Sequence, residues 1–295
     1  MKHLLNMRDL SIEDMQYILE TARLFANGEQ WSPEKKVYAA NLFFEPSTRT
    51  KTSFEMAERK VGLEVIPFDC GFSSVLKGET LYDTLKTLEA IGIGVAVVRH
   101  QEEDFYQELA GRLNMHIING GDGCGQHPTQ CLLDLFTIQQ EFGGFAGLKV
   151  AIVGDLRHSR VAKSNMEALA LMGADVYMSG PPEWHMEEGV PSSSYIDLDD
   201  AAETADVVML LRIQNERHTG HSAMKSHDYH QKYGLTVERA KRMKKTSIIM
   251  HPAPVNRNVE IADSLVECER SRIFKQMENG VYTRMAVLKA LLENK

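Results

Sequence analysis

Apolar runs of four to eight residues recur along this chain with longer amphipathic stretches between them, and that alternation constrains the fold more than any other feature. A run with no polar residue on every second position reads as a strand buried on both faces. Such strands belong to parallel sheets covered by helices. Eight runs predict strands, at residues 37–44, 63–68, 93–98, 116–119, 149–153, 175–178, 207–211 and 247–250. Helical periodicity occupies residues 11–26, 48–61, 79–91, 129–142, 159–171 and 281–292, with Ser11 and Asp14 forming a capping pair at the start of the first. At roughly 150 residues per domain, 295 residues make about two domains. The glycine-rich stretch 143–147 offers a hinge between them. The expected fold class is α/β, with two lobes, each a doubly wound parallel sheet flanked by helices. Residues 181–194, rich in Pro, Glu and Ser, read as an exposed loop.

Composition removes several function classes. Lysine and arginine number 33 against 41 acidic residues, a net charge of −8, which argues against a general nucleic-acid or anionic-membrane surface but leaves room for a local anion site. The four cysteines, Cys70, Cys124, Cys131 and Cys268, are scattered, and no Asn-x-Ser/Thr triplet occurs, a pattern that fits a reducing cytoplasm. Apolar runs fall far short of the roughly 18 residues of a membrane span, and the first residues lack a signal-peptide core. The expectation is a cytoplasmic protein.

In open α/β sheets ligands bind beyond the carboxyl ends of the strands. The first run leads into Ser47-Thr48-Arg49-Thr50, which places hydroxyls and an arginine where a helix begins. Free backbone N–H groups, the helix dipole and a guanidinium there suit a phosphate. An ordinary helix cap beside a solvated arginine has the same composition. The third run ends in Arg99, and the fourth leads through glycines to His127 and Gln130, one a donor to a carbonyl oxygen, the other able to bind an amide. In the second half the runs lead to Arg160, to Arg212 and Gln214, and to His251-Pro252-Ala253-Pro254, whose prolines lack N–H and leave carbonyls as acceptors. Taken singly, each of these is a surface charge or a structural histidine. Together they describe an active site in the cleft between the lobes, with a phosphate on one side and a carboxylate on the other.

Absent motifs narrow the reading. No Gly-x-Gly-x-x-Gly, Gly-x-x-x-x-Gly-Lys-Ser/Thr or Gly-x-Ser-x-Gly occurs, so dinucleotide, P-loop and serine-nucleophile chemistry lack an anchor. Cys124, His127 and Cys131 have metal-ligand spacing, and His218, His221, His227 and His230 cluster, but structural zinc needs four ligands held tightly. The histidine cluster reads as a mobile surface loop.

Phe-Phe-Glu-Pro-Ser-Thr-Arg-Thr at 43–50, Lys-Gly-Glu-Thr at 77–80, Val-Arg-His at 98–100, His-Pro-Thr-Gln at 127–130 and His-Pro-Ala-Pro at 251–254 resemble, in that order, the aspartate/ornithine carbamoyltransferases over nearly the whole chain. Residues 212–217, Arg-Ile-Gln-Asn-Glu-Arg, and the His-Pro-Ala-Pro segment are similar to the aspartate branch; the His-Cys-Leu-Pro and Ser-Met-Gly stretches of ornithine enzymes are missing. The resemblance implies transfer of the carbamoyl group of carbamoyl phosphate to the α-amine of L-aspartate, an early step of de novo pyrimidine (UMP) biosynthesis, with no metal or organic cofactor. It implies a carbamoyl-phosphate-binding domain at 1–134 plus 278–295 and an aspartate-binding domain at 135–277. By the same resemblance Ser47, Thr48, Arg49 and Thr50 hold the phosphate, Arg99 bridges phosphate and carbonyl, and Thr50, Arg99 and His127 polarise the carbonyl oxygen. Gln130 and the carbonyls of Pro252 and Ala253 hold the carbamoyl NH2, while Arg160, Arg212 and Gln214 hold the aspartate carboxylates. Ser73 and Lys77 match a loop that reaches a neighbouring subunit's site, implying a catalytic homotrimer with shared active sites. Family members often bind regulatory nucleotides on a separate chain, which the resemblance leaves open for this one. The loop 214–233 is the expected mover when the lobes close. Two rival readings are a carbamoyltransferase for another amino acid such as ornithine, which the paired arginines Arg160 and Arg212 disfavour, and a catalytically silent binding or scaffold subunit.

Overall fold

The computed structural model of the chain describes residues 1–109, 111–186, 191–213 and 226–294. All eight apolar runs are strands. They form two separate four-stranded sheets, each parallel throughout. The chain divides into one unit of Met1–Phe136 with Met277–Lys295 and a second of Thr137–Gln276.

In the first unit β1 (Tyr38–Phe43), β2 (Glu64–Ile66), β3 (Val95–His100) and β4 (His116–Asp122) lie in the order β2-β1-β3-β4. The central strands β1 and β3 are buried along nearly their whole length. Leu42, Leu85, Val98, Leu109 and Ile117 belong to one apolar cluster on this sheet. Burial of each such side chain stabilises the unit by roughly 2 kcal/mol. Helices α1 (Ile12–Ala26), α2 (Thr48–Lys60) and α3 (Leu81–Ala90) belong to this unit. The capping pair of α1 is reciprocal: Asp14 N–H donates to Ser11 Oγ at 3.1 Å and Ser11 N–H to the Asp14 carboxylate at 3.0 Å.

The second unit repeats the topology with β5 (Lys149–Val153), β6 (Asp175–Ser179), β7 (Val207–Leu210) and β8 (Ile248–Met250) in the order β6-β5-β7-β8. Its helices are α5 (Arg160–Leu171), α6 (Leu198–Thr204), α7 (Ser226–Tyr233) and α8 (Val237–Arg242). The chain passes from one unit to the other inside α4 (Pro128–Phe142) and returns inside α9 (Ile273–Leu292), so the glycine-rich stretch at 143–147 follows α4. Among the described residues no helix is long and apolar enough to cross a membrane.

Two sequence expectations change. Pro181 and Trp184, in the stretch read as an exposed loop, are buried, and the Trp184 ring stacks on Tyr229 with centroids 5.5 Å apart. Part of the segment read as a mobile histidine loop is helix α7, anchored by Tyr229, which is 1% exposed. Tyr229 and Tyr233 recur at helical spacing, and both belong to the Trp184 and Ile213 cluster, so one apolar face fixes this turn despite its polar composition. His218 and His221 lie outside the described residues.

Candidate active site

Each sheet reverses its strand order beside its first strand, between β1 and β3 and again between β5 and β7. Crevices for ligands in open α/β sheets form at such points, beyond the carboxyl ends of the strands. The polar residues singled out in the sequence follow these strands.

In the first unit, β1 delivers the chain to Ser47, the N-cap of α2, in extended conformation and with no side-chain cap hydrogen bond. The Ser47 hydroxyl instead accepts from Arg99 Nη1 at 3.5 Å, across the β1–β3 seam where Phe44 N–H donates to the Arg99 carbonyl at 2.9 Å. Thr48 and Arg49 are exposed in the first turn, Thr50 is buried, and no acidic residue stands in that turn. First-turn amides, hydroxyls and guanidinium groups thus gather at one helix end, a combination suited to a phosphate. Glu45 faces Arg99, accepting from its Nε at 3.2 Å, and this mostly buried, charge-assisted pair orients the guanidinium. An open pocket of about 400 Å³ adjoins this corner, lined among others by Glu45, Ser47, Lys51 and Cys70.

Two glycines shape the turn after β4. At Gly123 (φ +38°) a Cβ would stand 2.7 Å from the Gln101 carbonyl, and at Gly125 one would stand 2.8 Å from the Asp122 carboxylate, so only glycine fits either place. Asp122 ties the turn by accepting from Asp104 N–H at 2.8 Å and from Gln126 N–H; burial pushes its carboxyl up. The turn sets His127 before α4, its carbonyl accepting from the N–H groups of Gln130 and Cys131 at 3.0 and 3.1 Å. His127 and Gln130 are both buried, and Gln130 Nε2 donates to Asp134 one turn on at 2.9 Å.

Ser73 joins the 3-10 turns Cys70–Phe72 and Ser74–Lys77, and Lys77 ends the second. The Ser73 hydroxyl donates to the Cys70 carbonyl at 3.1 Å. Lys77 is exposed, and Phe72 and Leu76 beside it are 90% and 71% exposed. Lys77 makes no hydrogen bond or ion pair among the described residues.

In the second unit, β5 leads to Asp155, a buried carboxylate 2.8 Å from His158 Nδ1. Ser159 caps α5 by accepting from Ala162 N–H at 3.2 Å, which places Arg160, only 7% exposed, in the first turn. Beyond β7, half-buried Arg212 precedes Ile213, whose N–H donates to Glu260 at 2.9 Å. Glu260 also accepts from Asn256 N–H at 2.8 Å and Asn256 Nδ2 at 2.7 Å, tying the ends of β7 and β8 together; burial pushes its carboxyl up against those hydrogen bonds. After β8, Ala253 N–H donates to His251 Nδ1 at 2.8 Å, leaving the carbonyls of Pro252 and Ala253 as the backbone groups on offer. Gln214 lies outside the described residues.

Among the described residues, Cys124, His127 and Cys131 included, no group of three or more His, Cys, Asp or Glu side chains is placed to hold a metal ion. Residues 2–140 match the family described as aspartate/ornithine carbamoyltransferase, carbamoyl-P binding domain, and residues 146–291 its Asp/Orn binding domain. The chain belongs to the aspartate/ornithine carbamoyltransferase family. The catalytic subunit of M. Jannaschii aspartate transcarbamoylase is 35% identical, with 100% of this chain and 99% of that one covered and a TM-score of 0.85. Trypanosoma cruzi aspartate transcarbamoylase in complex with carbamoyl phosphate and aspartate is 30% identical over 97% of this chain and 95% of that one, also at TM-score 0.85. The same enzyme with carbamoyl phosphate alone has a TM-score of 0.86 at 30% identity, covering 97% and 94%. Within this carbamoyltransferase fold, sequence reading missed Glu45, Asp134 and Glu260, the carboxylates that hold Arg99, Gln130 and Ile213. Glu45 stood inside the 43–50 motif without a role and Asp134 stood four residues from Gln130, while Glu260 left no signal.

Proposed function

We propose that the chain transfers the carbamoyl group of carbamoyl phosphate to the α-amine of L-aspartate, giving N-carbamoyl-L-aspartate and phosphate, as an early step of pyrimidine (UMP) biosynthesis in the cytoplasm. The observation that carries the reading is the pairing of Ser47 with Arg99 across the β1–β3 seam, at the bare N-terminus of α2. The first unit is the carbamoyl-phosphate-binding domain, where Ser47, Thr48, Arg49 and Thr50 take the phosphate oxygens. Arg99 spans phosphate and carbonyl, and Thr50, Arg99 and His127 draw charge onto the carbonyl oxygen. The aspartate amine attacks the carbonyl carbon, a tetrahedral intermediate forms, the bond from carbon to the phosphate oxygen breaks, and the departing phosphate takes the amine proton. Oriented donors aimed at the developing oxyanion supply roughly 3 to 4 kcal/mol each. Gln130 and the carbonyls of Pro252 and Ala253 hold the carbamoyl NH2.

The second unit is the aspartate-binding domain, with Arg160, Arg212 and Gln214 on the two carboxylates. Two arginines beyond β5 and β7 favour a dicarboxylate acceptor and repel the cationic side chain of ornithine. Phe72 and Leu76 expose apolar surface beside Lys77, which supports a catalytic homotrimer in which Ser73 and Lys77 complete the site of a neighbouring copy.

The test is product formation by the purified protein with carbamoyl phosphate, offering L-aspartate and L-ornithine in parallel. Product from aspartate alone is expected, with kcat/KM down at least about 100-fold in Arg49→Ala. Product from ornithine overturns the assignment of the second unit, and product from neither overturns the proposed activity.

A further inference from the structure

We infer that Asp134 and Arg284 are positioning residues that decide which end of the Gln130 amide faces the ligand. The inference rests on the carbamoyl-phosphate reading above and adds the source of its preference for an NH2 group. Gln130 and Asp134 stand four residues apart on one face of α4, and Gln130 Nε2 donates to Asp134 Oδ1 at 2.9 Å. A carboxylate only accepts, so Gln130 must turn its NH2 inward and present Oε1. Were a neutral amide at 134, either end of Gln130 would pair with it.

Arg284 is buried on α9 within electrostatic reach of Asp134: burial pushes its guanidinium down and the Asp134 charge opposes that shift. It is itself 2% exposed, donates from Nη1 to the Gly280 carbonyl at 2.9 Å and from Nη2 to Thr129 Oγ1 at 3.4 Å, and its guanidinium lies 4.8 Å from the Phe54 ring centroid. Thr129 adjoins Gln130 on α4, and Phe54 lies one turn after Thr50 on α2. The helix α9 makes room for this group: a Cβ at Gly280 would stand 2.5 Å from Arg284 Nη1. A mid-helix glycine costs about 1 kcal/mol relative to alanine, so its place is explained by the guanidinium it admits.

Presenting Oε1 makes Gln130 an acceptor that rewards a ligand carrying N–H beside its carbonyl. Carbamoyl phosphate has that NH2, acetyl phosphate has a methyl group in its place, and inorganic phosphate has neither. Calorimetric binding of these three to the full chain separates the cases. The unaltered protein is expected to prefer carbamoyl over acetyl phosphate. In Asp134→Asn the preference falls about fivefold to tenfold, the worth of one hydrogen bond to a fixed acceptor, while affinity for inorganic phosphate changes less than about twofold. Asp134→Asn with Arg284→Gln removes both charges together, guards against misfolding from an unpaired guanidinium, and is expected to show the same lost preference. Gln130→Ala fixes the scale of the full loss. Equal weakening of all three ligands in the Asp134 variants, or an unchanged preference where Gln130→Ala abolishes it, overturns the inference and leaves the functional reading standing. Failure of the unaltered protein to bind carbamoyl phosphate overturns both.

Discussion

Glu58 offers a sharp test of the energetics of the first unit, because the carboxylate is fully buried between α2 and β1 and has one donor among the described residues. Asn41 Nδ2 donates to its Oε2 at 2.8 Å, while Glu58 Oε1 and Asn41 Oδ1 are both buried without a hydrogen-bond partner among the described residues. Burial pushes the Glu58 carboxyl up from 4.5 to about 7, with the Asn41 hydrogen bond opposing. Between those values the folded protein holds a proton that the unfolded chain has lost, so stability falls as pH rises through the window and levels off above about 7. A gap of about 2.5 at about 1.4 kcal/mol per pH unit makes the cost about 3 kcal/mol at pH 8. Glutamine at 58 has no charge to desolvate, keeps an acceptor for Asn41 Nδ2 and adds an NH2 for the unpartnered Asn41 Oδ1. Glu58→Gln is therefore expected to gain about 2 to 3 kcal/mol at pH 8 and close to nothing at pH 4.5. Urea denaturation followed by circular dichroism at both pH values measures the difference. Equal effects at the two pH values, or a loss at pH 8, refute the reasoning.

Glu260 lies in the second unit and predicts the opposite sign, since both its oxygens accept donors: Ile213 N–H and Asn256 Nδ2 on one, Asn256 N–H on the other. Glu260→Gln sets an NH2 against a donor and is expected to cost about 2 kcal/mol in urea at pH 7, with a raised KM for aspartate because Ile213 carries Arg212; unchanged stability counts against it. Gly180→Ala would drive a Cβ into the Gly154 carbonyl oxygen at the ends of β5 and β6, backbone against side chain with nothing flexible to yield. The expected loss is about 3 kcal/mol, visible as a lowered thermal midpoint, and a midpoint within about a degree of the parent contradicts it.

The strands were legible because parallel strands covered on both faces become near-continuous apolar runs. β5 ends where its run ends, at Lys149 and Val153. β4 extends past its run through Gly120, Gly121 and Asp122, pairing His100 with Asp122, because glycines in a buried strand carry no hydropathy signal. Helix α9 begins at Ile273, eight residues before its apolar stripe is readable at 281. Gln276, Asn279, Thr283 and Arg284 are all buried on it, so its packed face is partly polar and defeats a periodicity based on apolar residues. Helices α6 and α8 have seven and six residues, too few for two turns of pattern.

The site divides along the same physical line. Ser47, Arg99, His127, Arg160 and Arg212 could be singled out because topology sends ligand-facing groups to the loops after the strands, and a charged or hydroxyl residue directly after an apolar run stands out. Their supports could not. Arg284 lies 154 positions from Gln130 in sequence, so its link to Gln130 through Asp134 appears only once α9 packs in the same unit as α4. Buried polar groups are tolerated only when paired, and pairing is a property of three-dimensional neighbours, which no one-dimensional pattern encodes. The carboxylates Glu45, Asp134 and Glu260 each hold a neighbouring group, so the orientation of the candidate site depends on residues to which the motifs assign no role. Substitutions at Asp134 and Glu260 should accordingly change ligand discrimination while leaving every motif intact, which separates them from the motif residues by assay.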